Sequence, residues 1–324
     1  GLGDVYKRQG LMIKEEFYFD SRDGENRIHA VRYTPDDGNV RGIVQIVHGM
    51  AEYVERYENL AEFLTKRGIL VTGEDHLGHG KSVSEGGSFG YFCEQDPATV
   101  VVRDVHRLKK ITEEQYPQVP YIILGHSMGS FIARNYLCRY GSGIGGAVIV
   151  GTGMQPAGLI FASKAMAGIQ KLFCGSKHVS HFIDKAAFGG YNKRIDSPRT
   201  SSDWLSRNTE NVDRYIEDEL CGFTFTVNGF QTLFELIRRL QKQENLEKVP
   251  QNLPILMVSG AEDPVGDYGK GVHKACDSLK RAGVKNITVK LYENDRHELL
   301  NEDDAEVAME DIWQWICKEI PGIA

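Results

Sequence analysis

Four short stretches of the chain are apolar with no alternation, and each stops at a glycine or a polar turn: IVQIVHG from Ile43, YIILGHS from Tyr121, AVIVGTG from Ala147 and PILMVSG from Pro254. A strand with one wet face alternates apolar and polar residues, so a run without alternation reads as covered on both faces. Four such runs are the habit of a central, mostly parallel sheet. The segments between them supply the cover. Tyr57, Leu60, Ala61 and Leu64 share one helical face, as do Ala305, Ala308, Met309, Ile312 and Ile316. Strands alternating with amphipathic helices predict an α/β fold with helices on both faces. Two segments differ. Ile287, Val289 and Leu291 alternate with Thr288, Lys290 and Tyr292, which predicts a strand near a sheet edge. Residues 16–34, with Asp23-Gly24 at a turn, predict an antiparallel hairpin entering the sheet.

The alternation stops from about Met154 to Gln243, which is too long for a connecting loop in a compact domain. This stretch carries an apolar helix-like segment at 159–173, a polar region near 192–213 and another helix from about Gly229. It reads as a helical cap of residues 154–243 inserted into a core of 12–153 and 244–324. Residues 1–11 carry no strand or helix period and precede Met12, a natural start; GLGDVYKRQ reads as a non-native leader. The net charge of −7 argues against a nucleic-acid partner, which needs clustered positive charge. Six scattered cysteines without a CxxC pair are expected to be free thiols in a reducing compartment. No apolar run approaches the roughly 20 residues of a membrane span, and no signal peptide is visible. These features predict a cytoplasmic protein.

Chemistry concentrates where the strands end. Gly125-His126-Ser127-Met128-Gly129 fits GxSxG directly after the run 121–124 and before a helix-like segment, 131–139. Gly125 and Gly129 allow a tight strand-to-helix turn that lifts a serine hydroxyl above the sheet. The helix behind it offers free N–H groups to a developing anion. A serine hydroxyl needs a base, and the base an orienting acid, expected in the chain order serine, acid, histidine. Asp263 follows the strand at 255–259, and His297 follows the last strand. Asp267 is a rival acid and Asp295 a weaker one; Asp263 stands nearer the strand end. The two N–H donors of an oxyanion hole are expected from Met128, after the nucleophile, and from Met50 in the loop His48-Gly49-Met50.

The run HGMAEYVERYENLAEFLTKRGILVTGEDHLGHGKS from His48 resembles the monoacylglycerol lipase and lysophospholipase branch of the α/β-hydrolases. GHSMG at Gly125 and the RHE run at Arg296 continue the resemblance, which covers nearly the whole chain from about Glu16. It implies an α/β-hydrolase fold, the triad Ser127, Asp263 and His297, and the amides of Met50 and Met128 as the hole. Gly49, Gly125, His126 and Gly129 support the site. Glu52 resembles a buried family glutamate that braces the oxyanion loop. Tyr53 stands where the family usually has histidine, and Asn294-Asp295 replaces a small pair.

The expected activity is hydrolysis of a carboxylic ester, with a small ester or a monoacyl lipid as substrate and no cofactor. Short-chain esterase, thioesterase, peptidase, acyltransferase and a non-catalytic binding protein remain alternatives on the same scaffold. No metal is expected: Asp75, His76 and His79 fix a glycine-rich turn in this reading. The apolar segment 159–173 is equally suited to covering an acyl chain, to touching a membrane surface, or to packing over the core.

Overall fold

The computed structural model describes residues 7–9 and 12–324. Among the described residues nine strands form one sheet: β1 (Lys7–Gln9), β2 (Met12–Asp20), β3 (Arg27–Pro35), β4 (Gly42–Val47), β5 (Ile69–Glu74), β6 (Tyr121–His126), β7 (Gly146–Val150), β8 (Ile255–Gly260) and β9 (Ile287–Tyr292). Their spatial order is β1-β2-β3-β5-β4-β6-β7-β8-β9. The strands from β5 to β9 in that order run parallel, while β3 is antiparallel to both of its neighbours. The four unalternating runs are β4, β6, β7 and β8, which lie side by side at the centre and are buried at every residue. The alternating run is β9, at the edge. The hairpin is β2–β3, closing at the pair Asp20 and Arg27.

The helices are α1 (Glu58–Thr65), α2 (Pro97–Gln115), α3 (Met128–Tyr140), α4 (Ala157–Cys174), α5 (His181–Phe188), α6 (Thr209–Glu217), α7 (Val227–Leu240), α8 (Gln243–Leu246), α9 (Lys270–Arg281) and α10 (Ala305–Glu319). Alternate residues of each central strand feed two separate cores. Ile43, Ile123, Ile149 and Met257 pack with Leu108 of α2, Ile132 of α3 and Leu279 of α9. Val44, Ile122, Val148 and Leu256 pack with Leu60 of α1 and Ile312 of α10. Burial on both faces is therefore the physical reason that these strands carry no polar alternation.

Between β7 and β8 no segment joins the sheet, and α4 to α8 fill the interval. The last long helix of that interval, α7, belongs to the core as much as to a cap. It packs on α3 and α2 as well as α4, and Asn228 is bonded to the backbone of Phe92 and Cys93. The outer layer is α4, α5 and α6.

One short strand at the N-terminus leaves no signal in its own sequence. Lys7–Gln9, which show no strand period, pair antiparallel with Met12, Ile13 and Lys14. Such pairing uses backbone groups alone, so it leaves no side-chain pattern to read. The rest of the segment read as a leader, 1–6 with 10 and 11, lies outside the described residues. No described helix is long and apolar enough to cross a membrane, and all six cysteines are free.

Candidate active site

Strand β6 ends at His126 and α3 begins at Met128, which leaves Ser127 alone to turn the chain. It does so at φ 60° and ψ −124°. A non-glycine residue held there costs roughly 1–3 kcal/mol, a strain maintained by surrounding bonds. The Ser127 amide donates to the Val150 carbonyl at 3.0 Å. Its carbonyl accepts from the Ser130 hydroxyl at 2.5 Å. The flanking glycines serve close approach, since the positive φ falls on the serine itself. A Cβ on Gly129 would stand 1.9 Å from the Val47 carbonyl oxygen, and one on Gly125 2.3 Å from that of Gly129.

Asp263 and His297 meet here, although 34 residues separate them. His297 Nδ1 lies 2.9 Å from Asp263 Oδ2, with both side chains buried. The other carboxylate oxygen of Asp263 accepts from the Val265 amide at 2.9 Å, which fixes its plane. Asp267 is exposed, and Asp295 is buried against Arg207 at 2.6 Å. Among the described residues neither bonds to His297. His297 and Ser127 border one cavity of about 860 Å³, along with Met50 and Met128. The Ser127 hydroxyl makes no hydrogen bond among the described residues. Catalytic contacts of this type commonly tighten only when substrate binds.

The loop carrying Met50 is tied on both sides of that residue. The Gly49 amide donates to Glu52 Oε2 at 2.7 Å, and the Ala51 amide to His79 Nε2 at 3.1 Å. Accepting that bond requires an unprotonated Nε2, and burial pushes the His79 pKa down to about 3. Burial likewise pushes the His76 pKa down to about 4; its Nε2 lies 2.9 Å from the His48 carbonyl oxygen, and its amide donates to His48 Nε2 at 3.0 Å. A Cβ on Gly49 would come within 3.0 Å of Ser127 Cβ, so the loop reaches Ser127 only with glycine there. The amides of Met50 and Met128 have no hydrogen-bond acceptor among the described residues, and both residues face the cavity.

Glu52 also accepts from Tyr57 Oη at 2.7 Å and from Arg56 at 2.8 Å. Arg56 in turn grips Glu298 with two bonds, of 2.8 and 3.0 Å, and Asn211 of α6 donates to the same carboxylate. Burial works against a charged Glu52, but the neighbouring His126 and the Arg56 guanidinium hold its carboxyl well below the usual range. Burial also favours a neutral His126 ring, and the Glu52 carboxylate 3.6 Å away overrides it and raises the pKa. His126 Nε2 donates to the His297 carbonyl at 2.9 Å. The loop carrying Met50, the residue before Ser127 and the loop carrying His297 thus share one buried network. Arg56, Glu298 and Asn211 were not among the residues singled out from sequence, and Tyr57 enters there only as part of a helical face. Arg56, Tyr57 and Glu298 lie inside the runs that carry the resemblance; Asn211 has no such signal.

Tyr53 donates to Asp218, just beyond α6, at 2.5 Å, and the Gly222 amide donates to the Ala51 carbonyl. Both bonds tie the segment after α6 to the loop that carries Met50. Above the site, Leu159, Ile160 and Met166 of α4 line the cavity with Phe234 and Ile237 of α7. The apolar segment 159–173 is divided, however: Phe161, Leu172 and Phe173 are 78%, 84% and 85% exposed. Asp75 is bonded to His29 and to the Val54 and Lys81 amides, a loop-fixing role. One group of possible metal ligands draws together among the described residues, Glu16, His29 and Glu55, and Lys81 bridges its two carboxylates.

The sheet order, the serine turn after β6 and the acid and histidine after β8 and β9 define a hydrolase of the α/β-hydrolase fold. Residues 38–304 match the family described as "Serine aminopeptidase, S33", and the chain belongs to that family. It is similar to the monoglyceride lipase of Rattus norvegicus, 29% identical over 273 residues that cover 84% of this chain and 80% of the relative. It is also similar to the monoacylglycerol lipase of Mycolicibacterium smegmatis, 27% identical over 289 residues, covering 89% and 92%. Among solved structures, a highly thermostable carboxyl esterase from Bacillus coagulans in complex with glycerol matches at a TM-score of 0.89. It is 30% identical, and the match covers 96% of this chain and 99% of that one.

Proposed function

We propose that this hydrolase cleaves the carboxylic ester of monoacyl lipids through an acyl-enzyme on Ser127. The observation that carries the reading is the Asp263–His297 bond beside a strained serine, beneath a largely apolar cavity closed by α4 and α7. His297, oriented by Asp263, takes the Ser127 proton as Oγ attacks the ester carbonyl carbon. The amides of Met50 and Met128 stabilise the oxyanion. The tetrahedral intermediate collapses, the carbon–oxygen bond breaks, and the alcohol leaves with the proton from His297. Water, deprotonated by His297, then attacks the acyl-enzyme and releases the fatty acid and Ser127. The likeness to monoglyceride and monoacylglycerol lipases supports a single acyl chain as the occupant.

In this reading residues 154–243 act as a cap over the acyl site, and the exposed Phe161, Leu172 and Phe173 let it touch a membrane surface transiently while collecting substrate. Six free thiols support a cytoplasmic, reducing setting. Each methylene buried contributes about 0.8 kcal/mol, roughly fourfold in affinity. The test is kcat/KM across a homologous series of monoacylglycerols or p-nitrophenyl esters below their micelle concentrations. A rise with acyl length up to a plateau is expected. A steep fall beyond acetate or butyrate would instead support a short-chain esterase.

A further inference from the structure

Both soft dihedrals of Ser127 are anchored from the end of β7. Its amide, which fixes φ, donates to the Val150 carbonyl at 3.0 Å. Its carbonyl, which fixes ψ, accepts from the Ser130 hydroxyl at 2.5 Å. Ser130 Oγ in turn lies 2.8 Å from Oγ1 of Thr152, two residues past Val150. Behind Thr152 stands Arg134 of α3, whose Nη1 donates to Thr152 Oγ1 at 3.2 Å and to the Gly153 carbonyl at 2.9 Å. Ser130, Thr152 and Arg134 are all buried. The two ends of this chain set its direction, because a guanidinium only donates and a carbonyl only accepts. Each hydroxyl has one proton. Thr152 therefore accepts from Arg134 and donates to Ser130, and Ser130 donates to the Ser127 carbonyl.

Arg134 bonds to no carboxylate among the described residues, and its Nε and Nη2 have no partner there. Burial pushes its pKa down to about 10, which still leaves it charged at neutral pH. A buried charge without a counter-charge is costly, and packing alone would be served as well by an apolar side chain of similar volume. A serine that merely back-bonds within its helix needs neither a second hydroxyl nor a guanidinium behind it. A directed chain uses all three, since each donor polarises the next in a dry setting. We propose that Arg134, acting through Thr152 and Ser130, is a positioning residue that holds the Ser127 turn in its strained conformation. It touches no substrate, for it does not line the cavity. The role rests on the proposed hydrolysis, with Ser127 as the nucleophile. Without the chain the Ser127 carbonyl keeps only the helical amides of Ser130 and Phe131, and the hydroxyl spends less time aimed at an ester.

The experiment measures the rate of fluorophosphonate labelling at Ser127, with kcat, KM and Tm, in Arg134→Met, Thr152→Val, Thr152→Ser, Ser130→Ala and the double variant Thr152→Val with Ser130→Ala. Thr152→Val keeps the side-chain shape and removes only the middle of the chain, so it carries the test if Arg134→Met fails to fold. Arg134→Met and Thr152→Val should each slow labelling and kcat about tenfold, the effect of one hydrogen bond, with KM within about twofold. Thr152→Ser, which restores the hydroxyl, should recover most of the rate. The double variant should be slowed about tenfold as well, because both changes cut the same chain. Losses that multiply to about a hundredfold would show two hydroxyls acting separately and would overturn the proposal. So would folded variants of lowered Tm that label at the wild-type rate, which would reduce the chain to packing. A wild type that takes no label at Ser127 would overturn the proposed hydrolysis and this role with it; a labelled wild type whose variants keep its rate would overturn this role alone.

Discussion

The floor of the cavity and its cap are built by opposite means. In the floor, Asp263, His297, His126 and Glu298 are buried and hydrogen-bonded to partners from different parts of the chain, and buried Glu52 holds Gly49, Arg56 and Tyr57 while facing His126 at 3.6 Å. In the cap, α4 presents apolar side chains inward and outward alike, with Leu172 and Phe173 almost fully in solvent. Directional bonds in a dry setting define one geometry, and losing one partner strands another. Apolar contact has no preferred angle and scales with area. The difference predicts that damage to the floor acts on turnover steeply, while damage to the cap acts gradually and on substrate choice.

After Ser127 itself, the largest expected effect is at the acid. Asp263→Asn should reduce kcat about 10⁴-fold, because His297 loses both its charge partner and its orientation. Asp267→Asn, exposed and unbonded to His297, should cost far less. Steady-state kinetics of the two variants would expose a wrong assignment if their order reversed.

A smaller but still steep effect is expected at Glu52. Glu52→Gln removes the carboxylate that meets Arg56 and His126 and should destabilise the fold by about 3 kcal/mol, the scale for breaking a buried pair. Its signature is in the pH dependence. The Glu52 carboxyl is held below its unfolded value, so its stabilisation is complete above about pH 4.5 and fades on acidification toward its folded value. His126 is raised, so its contribution is complete below about pH 6.5 and is lost as pH climbs through the folded value. Glu52→Gln should therefore flatten the decline of Tm above pH 6.5. A variant whose Tm declines there as the wild type does would show that Glu52 does not set the His126 charge.

The cap should yield the smallest change in chemistry. Leu172→Asp with Phe173→Asp should abolish co-sedimentation with phospholipid vesicles. Turnover of a monomeric ester should stay within about twofold, as befits exposed positions. An equal loss of both would mean that the outer face of α4 supports the active site rather than a surface contact.

The same contrast decides what could be read from sequence. The four central strands are legible because burial on both faces writes itself into every residue, and β9 because one wet face restores alternation. Ser127, Asp263 and His297 are legible because each follows a strand end in a fixed chain order. The network around Glu52 is not, since Arg56 and Glu298 lie 242 residues apart and nothing local marks their pairing. Nor does the split of α4 show: a helix apolar on most sides has no periodicity with which to distinguish Ile160, buried, from Phe161, exposed. The short strand β1 goes unseen because its partner, not its own residues, determines it.

The central claim is that Ser127 is the nucleophile. Its most direct test is intact and peptide mass spectrometry after reaction with a fluorophosphonate, run beside turnover of Ser127→Ala. The expected result is one adduct per chain, located on Ser127, and a variant that folds, takes no label and has lost about six orders of magnitude in kcat. An adduct on another residue, or a pure Ser127→Ala sample that keeps a tenth of wild-type activity, would contradict it.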